Sequence, residues 1–271
     1  MEKIDNGNTK SGLSKVISLV SDSMPQGNYR ADGVVLRRRE TSPKSCDCLL
    51  FLRDMGAFWA GAPGPRSRFG GAAEPMIWGR FILYQGPRKL YLKSIDVAED
   101  FLSVRNSKKS LLCAARWCKE LGSRLPLGHE NNAVLSLFWG SMTNLSKGLS
   151  IALLDVRFAW RWGKIWGVAP SLDSCPECGS PLLSDEGIVM TKWGFLCRAC
   201  NAASPAQANS TRHKAVSPEA FDITKLASLS SVDGFVRAEP EIRARFATYA
   251  GLEREVGEIA SRLFVFLTFV M

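Results

Sequence analysis

The sequence predicts a mainly helical protein that carries a small four-cysteine, zinc-ribbon-like β-hairpin module. Three observations lead to that expectation. Apolar residues recur at helical spacing through several stretches after Ser94, two Cys-x-x-Cys hooks stand eighteen residues apart, and the start signal Ser217-Pro218-Glu219 opens a helical C-terminal third. The organisation that follows is a flexible N-terminal tail over 1–32, a mainly helical basic domain over 33–168, a four-cysteine zinc module over 169–203, a linker over 204–217 and a C-terminal helical segment over 218–271.

Taken in order, residues 1–32 are rich in Asn, Ser, Gly and Asp around one amphipathic piece, Leu13 to Val20. Val34 to Arg39 reads as a strand or helix start ending in three arginines, and Cys48 to Trp59 as a buried helix. Gly61 to Pro75, crowded with glycine and proline, reads as an irregular loop that presents Arg66 and Arg68. Ser94 serves as the cap of a helix with Ile95, Ala98, Phe101 and Leu102 on one face. A second helix spans about Lys108 to Leu121 and stops at Gly122, with Cys113 and Cys118 in the core. The third runs from about Leu149 to Trp166, ending at Gly167 and Pro170. Its inward face is Leu149, Ala152, Leu153, Val156, Ala159, Trp160 and Gly163, while Arg157, Arg161 and Lys164 follow one another along a second stripe. Pro240 opens a further helix, and Leu252, Val256, Ile259, Leu263, Phe266 and Val270 alternate at heptad spacing, a pattern for packing on the chain's own core or for a coiled coil.

The strongest chemical signal is Cys175-Pro176-Glu177-Cys178, answered by Cys197-Arg198-Ala199-Cys200. Two residues between thiolates let each hook wrap one side of a tetrahedral Zn²⁺, and the spacer can return as a hairpin: Pro181 to Leu183 as one strand, Ser184 to Gly187 as the turn, Ile188 to Trp193 as the other. Four thiolates fill the coordination sphere and leave no position for a catalytic water, so one structural Zn²⁺ is expected. Iron, two disulfides and four free thiols are the alternatives.

Net charge is +9, and its placement is informative. Between Arg30 and Arg124 there are 18 lysines and arginines against 9 acidic residues, so this third of the chain holds the whole excess. DNA is the partner that such a surplus suits, with Arg37, Arg38, Arg39, Arg66, Arg68, Arg157, Arg161 and Lys164 as the candidate contacts; a solvated basic surface is the plainer use. The polar N-terminus, the eight cysteines and the shortness of the apolar run Leu263–Met271 point to a cytoplasmic protein without a membrane span. No phosphate-cradling Gly-x-x-x-x-Gly-Lys, dinucleotide-binding Gly-x-Gly-x-x-Gly or His-Glu-x-x-His motif is present, so no enzyme activity is expected.

The run Asp155-Val156-Arg157-Phe158-Ala159-Trp160-Arg161, followed by Gly167, Leu172, Cys175-x-x-Cys178-Gly179 and Phe195-x-Cys197-x-x-Cys200, resembles the C-terminal part of FlhC, the zinc-binding subunit of a bacterial flagellar master activator. The resemblance implies a zinc-dependent, DNA-binding transcriptional activator. Its partners would be an FlhD-like helical protein in a hetero-oligomer and RNA polymerase, with Cys175, Cys178, Cys197 and Cys200 as the zinc ligands. The alternatives are a zinc-ribbon adaptor that binds only protein, and an accessory zinc ribbon on an enzyme.

Overall fold

The computed structural model of the chain describes residues 24–42, 45–63, 70–192, 194–203 and 213–270. The expected segment Leu13 to Val20, together with Arg66 and Arg68, lies outside them. The chain divides into two compact units, Met1–Ser136 and Leu137–Met271.

The first unit corrects the helical expectation. Five strands, β1 (Gly27–Ser42), β2 (Ser45–Leu52), β3 (Gly56–Pro63), β4 (Trp78–Gln85) and β5 (Leu90–Glu99), close into a barrel in the order β1-β2-β3-β5-β4. All neighbours are antiparallel except β3 and β5. Alternate residues fill the interior: Val35, Cys48, Leu50, Leu52, Phe58, Ala60, Phe81, Leu83, Leu90 and Leu92. After the short helix α1 (Leu102–Arg105), helix α2 (Lys108–Arg124) lies on the outside of β1. A Cβ at Gly122 would come within 2.6 Å of Arg37 Cδ and 3.2 Å of Leu49 Cδ2, which measures how closely that helix seats. The start of α2 is capped by Ser107, whose Oγ accepts the Ser110 N–H.

The helix expected over Cys48 to Trp59 is therefore two strands. β2 is covered on one side by the barrel interior and on the other, at Leu49 and Phe51, by neighbouring structure, so its sequence is a continuous apolar run without period-two alternation. A bulge between Val35 and Arg37 likewise buries Val34, Val35 and Leu36 in succession. The helix expected from Ser94 is instead β5, whose outer face is polar.

The second unit carries the helices expected from about Leu149 and after Ser217, together with one over Asn132–Ser146 that was not expected. Helix α3 (Asn132–Ser146) leads to α4 (Ile151–Ile165), whose residues Ala152 to Trp160, with Trp162 and Gly163, are all buried. A second small sheet of β6 (Ile188–Thr191) and β7 (Gly194–Leu196) precedes α5 (Arg198–Ala203). It is completed by β8 (Lys214–Val216), giving the order β7-β6-β8. The return strand of the expected hairpin thus pairs with β7 rather than with Pro181 to Leu183. Helices α6 (Pro218–Leu229), α7 (Val232–Thr248) and α8 (Leu252–Val270) follow. Ser217 caps α6 with proline at its first turn, while Pro240 lies inside α7 rather than at its start. Helix α8 packs on α4 with its heptad residues Leu252, Val256, Ile259, Leu263 and Phe266 buried, and a Cβ at Gly163 would meet Leu267 Cδ2 at 3.0 Å. That close packing gives the heptads an intramolecular use.

Candidate metal centre and nucleic-acid interface

The sulphurs of Cys175, Cys178, Cys197 and Cys200 lie within 4.8 Å of one another. The first hook is a tight loop closed by the backbone: Gly179 N–H donates to Cys175 O at 2.9 Å and Cys175 N–H to Ser180 O at 2.8 Å, with Gly179 at φ 73°. Its base is the Ser174–Pro181 bridge. The second hook is the junction of β7 and α5, and the Cys200 N–H points to Cys197 Sγ at 3.5 Å. Leu172, Leu182, Ile188, Met190 and Phe195 form the apolar floor, and Phe195 meets Phe221 of α6 edge-on at 5.3 Å between ring centres.

This donor set fits a tetrahedral metal. Four sulphurs at about 2.3 Å from one ion stand about 3.8 Å apart, and Cys178 Sγ and Cys197 Sγ are separated by 3.7 Å. Hydrogen bonds from the Ser180 hydroxyl and N–H pull the Cys178 thiol down to about 6, whereas Cys200 is pushed above its usual value by its bonds to the Cys178 and Cys197 sulphurs. Burial opposes ionisation of Cys175, but N–H groups of Cys197, Cys178 and Glu177 outweigh it and lower its thiol. Four sulphurs so close cannot all be thiolates without a cation between them. The other thiols differ: burial pushes Cys48 and Cys118 up to about 12, and both belong to apolar cores.

The candidate nucleic-acid residues separate. Strand alternation splits the three-arginine run: Arg37 is exposed with its stem beside α2, Arg38 turns to pair with Glu74, and Arg39 is exposed on the outer face. Arg157, placed by spacing on a polar stripe, is buried. Its NH1 donates to Ala227 O at 2.7 Å and Ser230 O at 2.9 Å, and its guanidinium lies 4.8 Å from the Phe235 ring centre. Burial, aided by Arg161, holds it down to about 10. Arg161 NH2 also donates to the Leu229 and Ser230 carbonyls. The two guanidiniums thus finish the C-terminus of α6, and of the three stripe residues Lys164 alone is exposed. The expected stripe does not form, because α4 is buried along most of its length and exposed only near its C-terminal end.

The barrel brings together a surface that spacing along the sequence could not reveal. Cross-strand register places Asn28, Tyr84, Tyr91, Gly61, Asp47 and Arg39 in one row around the outside. Tyr91 is 41 % exposed, and Lys93 Nζ stands 5.1 Å from the Tyr84 ring centre and 6.0 Å from that of Tyr91. At the other end Arg39 lies over Trp59, 5.1 Å from its ring centre, and Lys89 borders Gly61. Aromatic faces interleaved with cations are suited to a nucleic-acid strand whose bases can stack while phosphates meet the cations.

Barrel topology and this face define the class: an oligonucleotide/oligosaccharide-binding (OB) type barrel, here followed by a helical unit with a four-thiol knuckle. Residues 109–242 match the family model described as the C-terminal part of recombination protein O. Curated relatives are DNA repair protein RecO of Acetivibrio thermocellus, 29 % identical over 178 residues, covering 64 % of this chain and 71 % of the relative, and that of Rubrobacter xylanophilus, 29 % identical over 184 residues, covering 65 % and 73 %. A third, from Pelotomaculum thermopropionicum, is 26 % identical over 186 residues, 67 % of this chain and 72 % of the relative. The match contains the whole Asp155–Cys200 stretch on which the FlhC-like resemblance stood, and overturns it. With it go the transcriptional activator, the FlhD-like and RNA polymerase partners, and the adaptor and enzyme-accessory alternatives. Among the described residues no helix is long and apolar enough to cross a membrane.

Proposed function

We propose that this chain is a cytoplasmic DNA repair protein of the RecO kind, non-catalytic, that binds DNA on the outer face of its barrel. The observation that carries the reading is the outer face that holds Tyr84 and Tyr91 in one register row, with Trp59, Arg39, Lys89 and Lys93 beside it, on a barrel of the OB type. Similarity of residues 109–242 to the C-terminal part of recombination protein O supplies the repair context. In this reading bases stack on the two tyrosines and the tryptophan, while the cations between them meet the backbone phosphates. Cys175, Cys178, Cys197 and Cys200 would hold one Zn²⁺, which when bound supplies a cross-link that keeps the knuckle folded, not a reaction step.

Fluorescence anisotropy with a labelled single strand tests the reading. A base stacked on an aromatic ring is worth about 1–3 kcal/mol, so Tyr84→Ala and Tyr91→Ala should each weaken binding about five- to 150-fold. Unchanged affinity in the double variant would remove the barrel face from DNA binding.

A further inference from the structure

Asp47 is the acidic member of the register row on the barrel face, and it is nearly buried, at 6 % exposure. Its Oδ2 accepts from Arg39 NH2 at 3.0 Å and its Oδ1 from Lys89 Nζ at 2.7 Å. A carboxylate therefore sits between two of the cations on which the strand-binding reading depends.

The neighbouring residues hold this arrangement flat against the sheet. Lys89 reaches Asp47 by crossing Gly61, opposite Asp47 in register, where a Cβ would stand 2.5 Å from Lys89 Cε and 2.8 Å from its Nζ. The absence of a Cβ at Gly61 leaves room for that path. On the other side Arg39 is stacked over Trp59. Both cations are thus drawn down into the surface plane and partly neutralised, while the tyrosine rings and Lys93 stand beside them.

A duplex hides its base faces and can engage such a surface only through phosphates, whereas an unpaired strand can also stack. A carboxylate that neutralises the cations weakens the phosphate contribution, and so weakens duplex binding more than single-strand binding. We infer that Asp47 is a specificity-determining residue, which damps phosphate attraction on the barrel face so that the face selects unpaired strands over duplex. The inference rests on the reading of that face as the DNA-binding surface.

Two variants separate charge from geometry. Asp47→Asn removes the carboxylate but keeps a side chain of the same shape. Gly61→Ala leaves every charge in place and pushes the flexible end of Lys89 off Asp47. Anisotropy would be read with a labelled single strand and with a blunt duplex of the same sequence, across a sodium chloride series, using full-length zinc-loaded protein checked for folding by circular dichroism.

In Asp47→Asn, duplex affinity should rise about three- to tenfold and single-strand affinity less, since an uncompensated cation pair near phosphate gains on that scale. The duplex salt slope should steepen by about 0.9 for each phosphate newly engaged. Gly61→Ala should move the single-strand to duplex ratio in the same direction by a smaller factor. If Asp47→Asn does not fold, the Gly61→Ala ratio decides alone. A ratio unchanged in the folded variants, or a fall in duplex affinity, overturns the role of Asp47 while leaving the face as a binding site. Wild-type protein that binds neither DNA overturns the functional reading and this inference with it.

Discussion

Arg157→Met tests whether the guanidinium belongs to the fold or to a ligand. The substitution keeps an apolar stem but leaves the Ala227 and Ser230 carbonyls without the donor that reaches them at 2.7 and 2.9 Å. A hydrogen bond to a charged group is worth about 1.5–3 kcal/mol. Two opposing effects reduce the sum. Burial already disfavours the charge, as the depression to about 10 shows, and Arg161 still donates to Ser230 O. The net loss is about 2–4 kcal/mol, which lowers the melting midpoint of a domain of this size by about 6–16 °C. Calorimetry would measure it, with single-strand anisotropy on the same protein at a temperature where the variant is folded. DNA affinity should not change. A midpoint within about 2 °C of wild type combined with weakened DNA binding would refute the reasoning, because the guanidinium would then serve the ligand and not α6.

Two further outcomes concern the knuckle. Cys197→Ser should release the metal and loosen 175–200, because the metal cross-links the two hooks and its binding supplies folding energy to that segment; full metal content by elemental analysis would contradict the four-thiol assignment. Acidification should do the same reversibly. The Cys178 thiol is held down to about 6, so the stability its thiolate contributes is complete above the usual thiol value and is lost as pH falls through about 6. Zinc release followed with a chromophoric chelator should rise on acidification, as protons compete with the metal for the thiolates, and a pH-independent release curve would exclude thiolate ligation.

The clustering of the four thiols was legible in the sequence because it is local: two residues between thiolates shape each hook whatever the rest of the chain does, and the sulphurs lie within 4.8 Å of one another. Much of the helical unit was legible for a similar reason. Helical period and caps are written within a few turns, as in Ser217-Pro218 at the start of α6 and the heptads of α8. Arg157 shows the limit of that reading. Spacing assigned it to a polar stripe, but only the packing around α4 decides that this position is buried, and the guanidinium then donates to the carbonyls at the end of α6.

The barrel was hidden for another physical reason. Alternation reports a strand only when one face meets water, and β2 is covered on both, so its apolar run carries no period to distinguish strand from helix. The binding face is more distant still from anything local. Asn28, Tyr84, Tyr91, Gly61, Asp47 and Arg39 become neighbours only through the register of five strands, and a slip of one residue in any pair would turn its side chains to the opposite face. The sequence by itself determined the four-thiol knuckle and most of the helices, since their causes lie within a few residues. Tertiary structure decided the barrel, the aromatic row and the burial of Arg157, because each depends on which distant surfaces cover which side chains.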